Sequence, residues 1–121
     1  MHELSVCQSM LSQVEEIARN ERASAVTVVV IRIGPLSGVE AELLKQAFPI
    51  ACAGGLAEGA ELRVEHLPIR VLCLECGAET EARANRLLCG ACGDYRTRLL
   101  SGDEMLLVSV ELTRETIAET H

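Results

Sequence analysis

Leu4, Cys7, Met10, Leu11, Val14, Ile17 and Ala18 recur at i, i+3, i+4 and i+7, with Gln13, Glu15, Glu16 and Arg19 on the other side. That period is the buried stripe of an amphipathic helix, predicted from about Leu4 or Ser5 to about Arg22. The pattern then changes. Residues 25–33 read AVTVVVIRI, dense in β-branched side chains and apolar on both faces, which predicts a central strand covered on each side. Gly34-Pro35-Leu36-Ser37-Gly38 supplies turn geometry, and a second helix is predicted from about Val39, burying Leu43, Leu44, Ala47 and Phe48. Pro49 removes a backbone donor and predicts a kink or a new short turn before Gly54-Gly55 ends the helix. Residues 61–67 alternate, Leu62 and Val64 opposite Arg63 and Glu65, and Pro68 stops this half-exposed strand. After a turn at Gly102-Asp103, residues 104–112 predict a last strand with Leu106, Val108, Val110 and Leu112 on one face. Residues 113–121 predict a frayed end or a short helix.

The order helix, strand, helix, strand, cysteine-rich insert, strand predicts an α+β fold. It is a small three-stranded sheet covered by two helices, with a four-cysteine zinc-ribbon module inserted between two strands able to pair. Residues 1–68 and 101–121 make the α/β body and residues 69–100 the module. A chain of 121 residues suits one domain with such an appendage. The content is 49% apolar, with one Tyr, one Phe and no Trp, so the core is aliphatic.

Charge narrows the partners. The net charge is −7, while residues 69–100 hold five arginines against four acids, so the acid lies in the body. Nucleic acid is disfavoured, because phosphate neutralisation needs clustered Lys and Arg; a protein or a metal ion fits better. With no leader pattern and no apolar run of about 18 residues, a cytoplasmic protein without a membrane partner is expected.

In a reducing compartment paired CxxC motifs are metal or redox sites rather than disulfides. Cys73-Leu-Glu-Cys76 and Cys89-Gly-Ala-Cys92 supply four soft ligands suited to a tetrahedral Zn²⁺ ion. A dithiol redox pair and an iron–sulfur cluster are the alternatives. A redox CxxC usually sits singly at a helix N-terminus after a strand, so two pairs in a small loop-rich region favour zinc. With every ligand a thiolate the site is closed, and the metal builds structure while supplying folding free energy to a segment with few large apolar side chains. Cys7 and Cys52 lie in apolar helix patterns and read as small hydrophobes. His66 and His121 have no partner at ligand spacing and read as structural or solvated.

His2 differs by position. Given a free amino terminus, residue two offers the terminal amine, its own backbone nitrogen once deprotonated, and its imidazole, in fused chelate rings that lie in a plane. Planar, nitrogen-rich geometry suits Ni(II) or Cu(II) and not zinc. Glu3 adds a backbone nitrogen or a carboxylate. Taken alone, a histidine at position two is usually incidental.

Several stretches together resemble the HypA/HybF family of hydrogenase maturation factors: Met1-His2-Glu3-Leu4-Ser5, the turn Ile33-Gly34-Pro35-Leu36-Ser37-Gly38, Glu58-Gly59-Ala60-Glu61-Leu62, the paired CxxC insert, and Ser101-Gly102-Asp103-Glu104-Met105. The resemblance covers nearly the full length. It implies a nickel metallochaperone that helps insert Ni²⁺ into [NiFe]-hydrogenase and in some organisms supplies urease. It places the nickel site on the Met1 amine, the His2 imidazole and backbone nitrogen, and Glu3. Glu40 matches a position where an acidic residue has been linked to nickel in a relative, and structural Zn²⁺ falls on Cys73, Cys76, Cys89 and Cys92. The partners it implies are the GTPase of nickel delivery and the hydrogenase large subunit. The expectation is a binding protein, not an enzyme, as a monomer or weak homodimer; the alternative is a zinc-ribbon protein-interaction module with no nickel role. Cys7, Pro49 and Leu88 depart from the family pattern.

Overall fold

The computed structural model describes residues 3–114. Helix α1 spans Glu3–Asn20 and buries Cys7, Met10, Leu11, Val14 and Ala18, the middle of the predicted stripe. Leu4 and Ile17 are 42% and 39% exposed. At about 100° per residue they lie some 60° and 80° from Cys7, on the edges of that stripe. The helix ends in a Schellman motif: Ala23 N–H donates to Ala18 O at 2.9 Å and Arg22 N–H to Arg19 O at 3.1 Å. Arg22 takes the left-handed position, φ 57°, where glycine is usual.

Strand β1 (Ala25–Ile33) buries Val28, Val29, Val30 and Ile31 in succession, so both of its faces are covered. Helix α2 (Ala41–Cys52) begins two residues later than expected. Its buried residues Leu44, Phe48 and Cys52 are spaced by four, which turns Leu43, expected in the core, about 100° off Leu44 and leaves it 45% exposed. Pro49 lies inside the helix, which runs on to Cys52. The strands that follow are β2 (Glu61–His66), β3 (Ile69–Cys73), β4 (Glu79–Ala82), β5 (Thr97–Ser101) and β6 (Met105–Thr113). They form two three-stranded sheets, β2-β1-β6 and β4-β3-β5. The first has β1 at its centre, as its two-sided apolar sequence demands. The second lies within the cysteine-rich stretch, where no strands were expected. The expectation for residues 115–121 lies outside the described residues.

Strand β6 departs from its predicted single face. Met105, Leu107, Val110 and Leu112 are half-buried, while Leu106 and Val108 are 44% and 42% exposed. The alternation slips by one residue between Leu107 and Val110, and such a slip moves side chains to the opposite face. Residues 105–108 are apolar at every position, so the sequence carries no parity there.

Contacts divide the chain into two units. One gathers the described residues of Met1–Ile31, Glu40–Val64 and Leu107–His121. Its core joins the α1 stripe, Val26, Val28, Val29, Val30 and Ile31 of β1, and Leu44, Phe48 and Cys52 of α2. The other comprises Arg32–Val39 and Glu65–Leu106. There β3 is central and buries Ile69, Val71 and Cys73 on one face. Gly34 packs on Gly102 so closely that a Cβ added to Gly34 would lie 2.7 Å from the Gly102 Cα and closer still to its carbonyl. No helix among the described residues is long and apolar enough to cross a membrane.

Candidate metal centre

Each CxxC is followed by glycine, and the two copies fold alike. Cys73 ends β3, and its Sγ accepts N–H groups from Glu75 and Cys76, both at 3.3 Å. Cys89 Sγ accepts from Ala91 and Cys92 at 3.3 and 3.4 Å. The backbone closes in the same way: Gly77 N–H donates to Cys73 O at 3.0 Å and Gly93 N–H to Cys89 O at 2.9 Å. Cys73 N–H donates to Ala78 O at 2.9 Å, and Cys89 N–H to Asp94 O at 3.0 Å. Gly77 (φ 78°) and Gly93 (φ 80°) make these turns in the left-handed region, which costs glycine nothing.

The two loops bring four sulfurs to one point. All lie within 4.8 Å of one another, with Cys73–Cys92 at 3.6 Å and Cys76–Cys89 at 3.7 Å. A tetrahedral ion with sulfur bonds of about 2.3 Å needs ligands about 3.8 Å apart, so the quartet fits such a metal. Cys73 and Cys89 are buried and Cys76 and Cys92 exposed.

Hydrogen bonding sorts the thiols. The Cys92 and Ala91 amides bring the Cys89 pKa down to about 6, and the Cys76 amide lowers that of Cys73. Cys92 is pushed up to about 12, because the Cys73 thiol, burial and the Cys76 and Cys89 thiols outweigh the lowering by the Asp94 amide. Cys76 is likewise raised, against the Ala78 amide, by the Cys89 and Cys73 thiols. The first cysteine of each pair thus ionises most readily, and a metal displaces the remaining protons.

Sequence reasoning missed the groups around the quartet. Arg96 reaches both loops: its guanidinium meets Asp94 at 3.1 Å and Glu75 at 3.4 Å, and its carbonyl accepts Leu74 N–H at 2.9 Å. Its pKa is raised first by the hydrogen bond and the charge of Asp94, and to a smaller extent by the nearby Cys73 and Cys92 sulfurs. Thr80 Oγ1 accepts Gly90 N–H at 2.8 Å, tying β4 to the second loop. None of these pairings is visible in residue spacing, since Arg96 and Glu75 meet only when the loops close.

Of the residues expected to bind nickel, Met1 and His2 lie outside the described residues. Glu3 opens α1, is 8% exposed, and accepts the Glu40 N–H on its Oε2 at 3.2 Å. Glu40 is the exposed N-cap residue of α2, so Glu3 and Glu40 are brought together although 37 residues apart. Cys7 and Cys52, expected as core hydrophobes, are both buried. Desolvation, followed by Cys7 and Glu15, pushes the Cys52 thiol up to about 11.

A family model described as hydrogenase/urease nickel incorporation, metallochaperone, HypA matches residues 1–112. A hydrogenase maturation factor HypA from Nitrosospira multiformis is 50% identical over 112 residues, 93% of this chain and 97% of that one. One from Aquifex aeolicus is 45% identical over the same shares. The solution structure of the Ni metallochaperone HypA from Helicobacter pylori is similar at a TM-score of 0.70 and 28% identity, covering 95% of this chain and 100% of that one. With a family match from residue 1 to residue 112, the chain belongs to the HypA family of nickel metallochaperones for hydrogenase maturation.

Proposed function

We propose that the protein is a carrier and not an enzyme, taking Ni²⁺ at its N-terminus for insertion into [NiFe]-hydrogenase. The donors are the Met1 amine, the His2 imidazole and backbone nitrogen, and Glu3, with Glu40 as a further acidic donor. The observation that carries this reading is the bond between Glu3 Oε2 and the Glu40 N–H, which holds the start of α1 beside a second acidic residue. Residues 69–100 form a zinc module in which Cys73, Cys76, Cys89 and Cys92 hold Zn²⁺, and the ion supplies folding free energy there. Four protein thiolates leave no open position, so cargo is taken elsewhere.

A carrier works with exposed, exchangeable donors that a recipient can strip. Amine, amide and imidazole must lose protons to bind, so affinity falls as pH drops below about 6.5, the ordinary imidazole pKa. The partners are a nickel-delivery GTPase and the hydrogenase large subunit in the cytoplasm, and urease is a second recipient served by the same chemistry.

Nickel titration by calorimetry on protein with its authentic N-terminus tests this. His2→Ala should abolish tight binding with zinc content unchanged, and an N-terminal extension should do the same by turning the amine into an amide. Parent-like affinity in His2→Ala would instead leave a zinc-ribbon interaction module without a nickel role. Cys73→Ser or Cys92→Ser should disorder residues 69–100, whereas a redox site would keep its shape without metal.

A further inference from the structure

Helix α2 starts without a cap of its own. Its N-cap residue Glu40 has extended backbone (φ −95°, ψ 118°) and makes no side-chain cap hydrogen bond. A capping box would need an acceptor three residues on to return to the N-cap N–H, and that position is Leu43. The Glu40 N–H is bonded nevertheless, by Glu3 Oε2 at 3.2 Å from the first turn of α1. Glu3 is the one charged residue among the described residues that is buried. One turn further along both helices, Cys7 Sγ donates to Leu44 O at 3.6 Å. Residues 3 and 7 of α1 thus meet residues 40 and 44 of α2 at matching i, i+4 spacing.

We propose that Glu3 is a positioning residue: its carboxylate is the missing capping acceptor of α2, lent by another helix, and it is not a side-chain donor to nickel. This rests on the N-terminal nickel reading. Consecutive backbone nitrogens close small chelate rings, so the next donor after residues 1 and 2 is the Glu3 backbone nitrogen, which leaves the carboxylate in place. Moving the carboxylate to the metal would strand the Glu40 N–H that it now satisfies. Residues 1 and 2 are joined covalently to Glu3, so their donors reach at most about 7 Å of backbone from it. The bond to α2 holds Glu3, the residue to which those donors are attached, beside Glu40.

The test compares Glu3→Gln, Glu3→Asp and Glu3→Ala with the parent, each carrying zinc and an authentic N-terminus. Amide exchange at Glu40 is read without nickel, and nickel affinity by calorimetry. Gln keeps an acceptor of the right length and is accepted in capping boxes, so it should stay within about threefold of the parent in both measurements. Ala, and Asp with its shorter reach, should speed Glu40 exchange about tenfold and weaken nickel binding by a similar factor. Unchanged Glu40 exchange in Glu3→Ala overturns the cap. A loss of nickel affinity in Glu3→Gln as deep as in Glu3→Ala, with Glu40 still protected, overturns the positioning role and makes the carboxylate a ligand. Should Glu3→Ala fail to fold, Glu3→Asp against Glu3→Gln decides the same question. If His2→Ala binds nickel as the parent does, the N-terminal site falls while the exchange data still decide the cap.

Discussion

Replacing Gly77 or Gly93 by alanine isolates how much of the metal site is backbone geometry. Both glycines hold φ near +80°, both donate to the carbonyl of the first cysteine of their pair at 2.9–3.0 Å, and neither has a heavy atom within 4 Å of where a Cβ would stand. No clash adds to the cost, which is the left-handed penalty of an L-residue, about 1–2 kcal/mol. With the quartet holding zinc as proposed, metal binding and folding of the module would be linked, and that penalty would lower zinc affinity by a factor of about 5–30. The matching geometry predicts equal losses at the two positions. Asparagine tolerates the left-handed region, so Gly77→Asn and Gly93→Asn should recover much of the loss. Competition for zinc against a chromogenic chelator of known affinity measures each variant. Losses that differ more than tenfold between the two positions, or asparagine variants as weak as the alanine ones, would refute the argument.

Three further outcomes are expected. Gly34→Ala should lower stability by at least ~3 kcal/mol in urea unfolding, because the new Cβ meets Gly102 backbone that cannot rotate away. Arg22→Gly should raise stability by about 0.5 kcal/mol, since relief of the left-handed strain at φ 57° exceeds the extra unfolded-state entropy of glycine. Cys52, 3% exposed and with its pKa raised from 9.0 to about 11, should be alkylated at pH 8 at least about 100-fold more slowly than an unperturbed exposed thiol. The thiolate is the reactive form, so the Cys52 rate should climb about tenfold per pH unit until pH 11, read by mass spectrometry of the native protein.

Much of the fold was legible because its signals are local. The α1 stripe, the two-sided β1 run and the alternation of β2 each repeat at the period of the element they form. The CxxCG repeat likewise carried the metal quartet, since each pair closes its own loop from adjacent residues. The small sheet β4-β3-β5 was harder to see, because its strands have only four or five residues and the outer two bury no face fully, which leaves too short a pattern. In β6 an unbroken apolar run hid the slip that exposes Leu106 and Val108.

Sequence alone determined the order of α1, β1, α2, β2 and β6, the pairing of the four clustered thiols and the candidacy of His2, because these depend on neighbours along the chain. Tertiary structure decided which groups serve those sites from a distance. Arg96 becomes a counter-charge to both cysteine loops only once β5 lies beside β3, and Glu3 becomes the cap of α2 only once the two helices pack. A hydrogen bond or ion pair acts over a few ångströms of space, and residue spacing gives no measure of that distance across 37 positions of chain.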